Sequence, residues 1–394
     1  MARPRVMIVV GYFDWFSGYQ ETVLAAALGS KADVHVVASD RVSPSFSDQH
    51  LTRLGVARRY TSGNSTERGV KVTRLNSLEW RGMVWATGVR RAIRVSKPDL
   101  IIQMMPGQAL PISATFSARR IPRFVIYGDN GAMWTGLSPW KRALKGLVFG
   151  MTKGVAYRIA NRGADAVLGY TPETLTRLAP TSRQPLTLLP LAYADEHFFF
   201  SPELRASERA KRAYSPSDIV FVSAGKFAER KRLDLIVRAF KSLCAAVPQA
   251  SLLLVGSDGG QVSGQLETLV ARLGLTDRVR IEGFLPPDQL NAALNASDIG
   301  IWPRQPAITI QQGLATGLWC VLPSNDWVGH LLTQDTGTYM PANPSESEVL
   351  AGLLVASNCD RHSDVRESRA RLNSRFSGRS AAQFLLDLSE ALGR

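Results

Sequence analysis

The segment GKFAERKR gathers Lys226, Arg230, Lys231 and Arg232, with Arg238 two turns later, where an apolar run gives way to a helical period. Glu229 is read as the opposing charge. A helix start already presents unpaired N–H groups and partial positive charge, so more cations there are unfavourable unless an anion arrives. A phosphate fits that requirement. The alternative is a solvated, charged first turn, which is the common fate of charge runs. Gly225 and Gly259, the latter in VGSDGG, are places where backbone would come close to a phosphate. Gly18, between the first strand and first helix in GYFDWFSGYQET, is a third, although one glycine there is also ordinary turn chemistry. No G-x-G-x-x-G dinucleotide fingerprint, lysine-bearing phosphate loop, zinc spacing or nucleophile elbow is present.

These residues must be held by a scaffold, and the pattern around them is regular. RVMIVV, ADVHVVAS, DLIIQMM, RFVIYG, DAVLGY and PLTLLP read as strands in the first half, and IVFVSAG, SLLLVGS, RVRIEGF, IGIWP and CVLPS in the second. Between them lie helical periods, including 20–28, 83–95 and 140–160. Strands that are apolar throughout and alternate with helices imply parallel sheets covered on both faces. The fold class is therefore α/β, with two doubly wound, Rossmann-like domains expected to face a central cleft. Boundaries are set at 1–200, 201–375 and 376–394, the last being a helix expected to pack back toward the first domain. The polar stretch after Asp195, EHFFFSPELRASERAKRAYSPSD, reads as the linker.

Composition narrows the partners. The 394 residues carry a net charge of +14, with 45% hydrophobic and 20% charged residues. Residues 1–200 hold an excess of +13 and the remainder only +1, so the first half is the one expected to meet a polyanion. WTGLSPWKRALKGLVFGMTKGVAYRIANR mixes Trp134, Trp140, Leu144, Leu147, Val148, Phe149 and Met151 with Lys141, Arg142, Lys145, Lys153, Arg158 and Arg162. A basic amphipathic helix with aromatic residues reads as an interfacial membrane binder, or else as a core helix with a solvated basic face. Nucleic acid is not expected, because no binding motif accompanies the charge. No apolar run is long enough to span a bilayer. Three widely spaced cysteines (Cys244, Cys320, Cys359) give neither a disulfide framework nor a metal set, in keeping with a cytoplasmic location at the inner membrane face.

The order of motifs resembles the retaining glycosyltransferases of family 4, which have the GT-B architecture. GKFAERKR is similar to that family's G-R-x-x-x-x-K-G segment, with Lys226 for arginine, Lys231 at the lysine and Arg232 where glycine is usual. VGSDGG, RVRIEGFLPPDQLNAALNASDIGIWP and QQGLATGLWCVLPS resemble the motifs that follow. ADAVLGYTPET and LLPLAYADEHFF do the same for the first half. The resemblance implies a nucleotide-sugar donor, no required metal and a lipid-linked or growing surface-glycan acceptor. It gives Lys226 and Lys231 the diphosphate, and places Gly225, Gly259, Phe284, Ile308, Thr309 and Gln312 around the donor. The family's paired glutamates fall on Arg304 and Gln312. Gln312 retains an oxygen for ribose hydroxyls, whereas Arg304 cannot accept a hydrogen bond. A family histidine near the sugar falls on Gly128, followed by Asp129, which is either a partner for a sugar hydroxyl or an Asx turn. His35, His50, His197, His330 and His362 are expected to be structural or surface residues. Two other readings stay open: a nucleotide-sugar epimerase of the same architecture, and a catalytically degenerate binding subunit.

Overall fold

The computed structural model describes residues 3–46, 48–80, 83–105, 108–117, 121–128, 138–304 and 306–392, without the side chains of 49, 50, 53 and 142. Asp129 and Trp134 lie outside the described residues, as does the side chain of Arg142. The chain divides into two compact units, Met1–Ala192 with Gly378–Arg394, and Tyr193–Ser377.

The strands of the first unit are β1 (Arg5–Val9), β2 (Asp33–Ser39), β3 (Gly63–Glu67), β4 (Val70–Leu75), β5 (Ser77–Trp80), β6 (Met83–Ala86), β7 (Leu100–Met104), β8 (Arg123–Tyr127), β9 (Ala166–Gly169) and β10 (Leu186–Leu188). Its helices are α1 (Gln20–Gly29), α2 (Asp48–Leu54), α3 (Val89–Ser96), α4 (Ala109–Ser117), α5 (Pro139–Met151), α6 (Lys153–Asn161) and α7 (Pro172–Leu178). Eight strands form one sheet in the order β10-β9-β8-β7-β1-β2-β4-β3, parallel except for the edge strand β3. Strands β5 and β6 make a separate antiparallel hairpin. The helix expected over 83–95 is therefore corrected. Met83–Ala86 alternates as a strand with Val84 buried and Met83 and Trp85 exposed, and the helix begins only after Gly88, whose φ is +118°. The helix expected over 140–160 is two helices, broken at Thr152 (φ −114°, ψ −90°).

The second unit carries β11 (Ile219–Ala224), β12 (Ala250–Ser257), β13 (Val279–Gly283), β14 (Ile299–Ile301), β15 (Trp319–Pro323) and β16 (Gly337–Met340). Its helices are α8 (Pro202–Lys211), α9 (Leu233–Ala246), α10 (Gln261–Arg272), α11 (Pro287–Ala296), α12 (Ile308–Ala315), α13 (Glu346–Ser357) and α14 (Ser363–Leu372). The sheet is parallel, in the order β13-β12-β11-β14-β15-β16. Side chains of β11 alternate between two cores: Ile219 and Phe221 enter one, Val222 and Ala224 the other. This two-sided burial explains why the sequence reads as unbroken apolar runs.

The stretch after Asp195 is folded into the second unit and is not a free linker. Asn291 and Asn295 accept from the backbone N–H groups of Phe199 and Ser201 at 3.2 and 2.9 Å. Ser201 caps α8, and α8 packs on α11. At the amino end of β14, buried Asp298 accepts from Arg205 (2.5 Å), Arg209 (3.2 Å) and the Val220 N–H (2.9 Å). Arg366 lies 3.8 Å from the same carboxylate. The last helix, α15 (Gly378–Ala391), belongs to the first unit, where it packs on α1 and Gln383 accepts from Lys31 at 2.6 Å.

Candidate active site

In the second sheet, strand order runs outward from β11 through β12 to β13, and from β14 through β15 to β16. The switch point therefore lies between β11 and β14, and open α/β sheets bind ligands beyond the carboxyl ends of strands at such a point. The segments that leave it are residues 225–232 after β11 and, after β14, residues 302–304 and 306–307.

They are drawn together by specific contacts. The Ala224 carbonyl accepts from the Thr309 hydroxyl at 2.6 Å and from the Trp302 indole N–H at 2.9 Å. Gly225 sits at φ +124°, and a Cβ there would lie 2.8 Å from Lys231 Nζ, 3.5 Å from Thr309 Oγ1 and 3.8 Å from the Ala307 Cβ. Glycine is required on both grounds, backbone conformation and space. The next loop is clasped in the same way. Gly256 has φ +116°, and a side chain there would strike the Gly225 carbonyl oxygen at 2.5 Å. Thus Gly225, Lys231, Ala307 and Thr309 converge. Ile308 and Thr309 open α12, whose N-cap, Ala307, supplies no side-chain cap. First-turn N–H groups have no partner within their own helix, so two backbone donors stand beside the lysine.

Lys231 closes a short 3-10 turn, Glu229–Lys231. Burial, then the neighbouring Arg230, pushes its ammonium down to about 8. Lys226 is exposed on the same loop. Arg232 has φ +52°, a left-handed conformation that explains why glycine is usual there in the family it resembles. Its guanidinium holds both oxygens of Asp234 at 2.9 and 3.0 Å. The counter-charge of this loop is thus Asp234, and the sequence reading, which credited Glu229, passed it over.

Arg304 donates from Nη1 to the Asn343 side-chain oxygen, and its own carbonyl is 3.5 Å from Asn325 Nδ2. Its Nε is buried without a hydrogen-bond partner among the described residues. Burial, then Arg232, pushes its guanidinium pKa down, while Asp234 opposes. Gln312 Oε1 is likewise buried with no donor among the described residues, as is Oε1 of the adjacent Gln311. A buried oxygen without a partner is unfavourable until something donates to it.

Two other expected site residues of the second unit, Gly259 and Phe284, are not among these converging groups. Gly259 occupies an exposed turn (φ +71°) beside Gly260, whose N–H donates to Asp258 at 3.0 Å. Phe284, just past β13, is 72% exposed. Gly18 lies in the first unit with φ +61° and open space around it. Asp129 lies outside the described residues. A groove of about 580 Å³ between α9 and α10 includes Arg232 and Asp234, but none of Gly225, Lys231, Thr309 or Gln312. Converging polar groups at the switch point, and not this groove, mark the candidate site.

The sequence reading missed two first-unit groups. Glu21, in the first turn of α1, is buried, and desolvation pushes its carboxyl up to about 7. The Tyr170 hydroxyl is buried without a partner among the described residues. An acid directly after the turn that follows β1 was the available signal. His35, by contrast, meets Thr73 at 2.7 Å, and His197 and His362 meet Asp288 and Asp360.

Known proteins resemble this chain in part of its sequence and in its fold. Residues 205–352 match the family Glycosyl transferases group 1, so the second unit is a group 1 glycosyltransferase domain. Mannosylfructose-phosphate synthase of Agrobacterium fabrum is 28% identical over 151 residues, 36% of this chain and 33% of that protein. A GDP-mannose-dependent phosphatidylinositol monomannoside mannosyltransferase of Mycolicibacterium smegmatis is 27% identical over 49% of this chain and 46% of its own length. The chain thus spans a fifth to a half of the length of the curated relatives it matches. Sucrose-phosphate synthase from Thermosynechococcus elongatus has the same fold, with TM-score 0.70 at 16% identity over 99% of both chains. HepE of Anabaena, solved with UDP and glucose, gives 0.66 at 16% identity over 98% of this chain and 100% of that one. The architecture is that of the GT-B glycosyltransferases.

Proposed function

We propose that this chain transfers a sugar, with retention of configuration, from a nucleotide-diphosphate donor to a lipid-linked or growing surface-glycan acceptor. The observation that carries the reading is the convergence of Lys231 Nζ and the uncapped start of α12 on Gly225, where only backbone leaves room for a phosphate. In the reaction the bond from the anomeric carbon to the diphosphate breaks, and the acceptor oxygen bonds to that carbon on the same face. The acceptor proton passes to the departing phosphate. The diphosphate gains charge as it leaves, and Lys226 and Lys231 stabilise that charge, the role a metal ion would otherwise fill. Gln312 Oε1 is the partner for a ribose hydroxyl. HepE, with UDP in its crystal, lends support from the fold alone.

The acceptor half of the reading rests on α5. Trp140, Leu144, Leu147, Val148 and Met151 are each more than half exposed on it, and Lys141 lies over the Trp140 ring at 5.5 Å. Phe149 does not join them: it packs edge-on against Tyr157 in the core, so insertion is assigned to the other residues. With the first half's +13 excess, this surface suits the anionic cytoplasmic face of a membrane. No described helix is long and apolar enough to cross one.

Thermal shift with UDP-, GDP-, ADP- and CMP-sugars, followed by donor hydrolysis, tests the reading. Stabilisation by one nucleotide class with release of nucleoside diphosphate and free sugar supports it. Binding without turnover would favour the degenerate subunit, and interconversion of sugar epimers would favour the epimerase. Flotation with anionic vesicles at low salt tests the membrane half, which fails if the protein stays in the aqueous fraction.

A further inference from the structure

Arg304 is fixed at the same edge as the diphosphate site by its neighbours on both sides. Trp302, two residues before it, is tied to the Ala224 carbonyl, and Ala307, three residues after it, stands 3.8 Å from the position of a Gly225 Cβ. The segment carrying Arg304 is therefore held beside the switch point, on the opposite loop from Lys226 and Lys231, with Arg232 close enough to act on its charge. Its described partner is the neutral amide of Asn343. Among the described residues it makes no ion pair, and Asp234, the carboxylate that acts on its charge, already has both oxygens held by Arg232. A half-buried cation with an orphaned Nε and a second arginine nearby is unfavourable in the free protein. The charge count leads further. A donor diphosphate carries about two negative charges near neutral pH, and Lys226 and Lys231 answer them. Arg304 is left over, and its planar fork matches a carboxylate with two parallel hydrogen bonds.

We infer that Arg304 selects a donor whose transferred sugar bears a carboxylate, so that the substrate class is a nucleotide-diphosphate uronate. This rests on the nucleotide-sugar reading above and narrows it. A neutral hexose offers the guanidinium only hydroxyls, which cannot neutralise it. A uronate supplies the missing anion. The carboxylate belongs to the donor in this assignment, and a carboxylate on the acceptor is the other source the experiment must separate.

Calorimetry with matched donors decides between them, with no acceptor present. The pairs are UDP-glucose with UDP-glucuronate and GDP-mannose with GDP-mannuronate, alongside free UDP and GDP. The full-length protein is expected to bind the uronate of one pair roughly 10- to 100-fold more tightly than its neutral partner. Arg304→Gln should bring that ratio close to one, and Arg304→Lys should restore part of it. Equal affinities within a pair, with free UDP or GDP still bound, overturn the inference and leave the nucleotide-sugar reading standing. The same holds if Arg304→Gln keeps the full preference. If no nucleotide binds, both fall together.

Discussion

The two ends of strand β14 carry opposite arrangements of charge. At its amino end, Asp298 is fully buried among Arg205, Arg209 and Arg366, and these arginines also reach backbone carbonyls of Asn295, Ser297, Ala296 and Thr316. Beyond its carboxyl end, Arg304 and Lys231 stand without an ion-pair partner among the described residues, and the amide oxygens of Gln311 and Gln312 on α12 are buried and accept from nothing described. A few residues of one strand separate a closed network from an open one. Partnered buried charge belongs to folding, because its removal leaves groups stranded. Unpartnered polar groups, gathered where a parallel sheet changes direction, are complete only with a ligand.

The sharpest way to break this contrast is to open the closed end. Asp298→Asn should destabilise the protein by about 3–5 kcal/mol, since three arginines lose their carboxylate. Urea unfolding of the two proteins measures it, and a loss under about 1 kcal/mol would mean the network is not structural. Donor binding by the fraction still folded should be little changed.

At the open end the effect should appear in activity and not in stability. Lys231→Ala is expected to lower turnover roughly 100- to 1000-fold, as when one donor to a developing charge is removed. Its unfolding midpoint should hold or rise, because a desolvated cation is removed. The pH dependence follows from the same residue. Its folded ammonium titrates at about 8, below the ordinary lysine value, so in the free protein the penalty is full below that pH and is relieved as pH climbs toward the unfolded value. Nucleoside diphosphate favours the charged form and raises the bound pKa. Affinity should therefore be greatest below about 8 and fall as pH rises above it, with proton uptake on binding. Calorimetry in two buffers of different ionisation heat measures the proton. A flat profile in the wild type would separate Lys231 from the phosphate.

Gln312→Leu should have the smallest effect, weakening donor binding by about 1–3 kcal/mol. Gln312→Glu should remain active. A well-folded but inactive Gln312→Glu protein would place the ribose elsewhere.

How far the sequence could be read tracks the same physics. Strands buried on both faces, such as IVFVSA and LIIQM, declare themselves, because nothing polar interrupts them. Strand β3, GNSTE, is an exposed antiparallel edge and leaves no apolar trace, so it went unseen. The hairpin of β5 and β6 was lost differently: MVWA runs straight into the amphipathic VRRAIRVS, and only the glycine between them marks the change. Within the candidate site, the closeness of Lys231 to Gly225 was to be expected from their places on one short loop. The bidentate grip of Arg232 on Asp234 was not, because a charge count cannot show which carboxylate is already occupied. Nor could a sequence reveal that the Thr309 hydroxyl is engaged with the Ala224 carbonyl.

The placement of α15 has a temporal consequence. Synthesis proceeds from the amino end, so residues 193–377 emerge complete before the last segment of the first unit exists. The first unit holds residues from both ends of the chain, and α1 waits uncovered until Gly378–Ala391 leaves the ribosome and packs on it. Domains that fold as they appear would here finish in reverse order, the second ahead of the first. During that interval the exposed flank of α1 is the nascent chain's point of exposure to chaperones, proteases and misassociation.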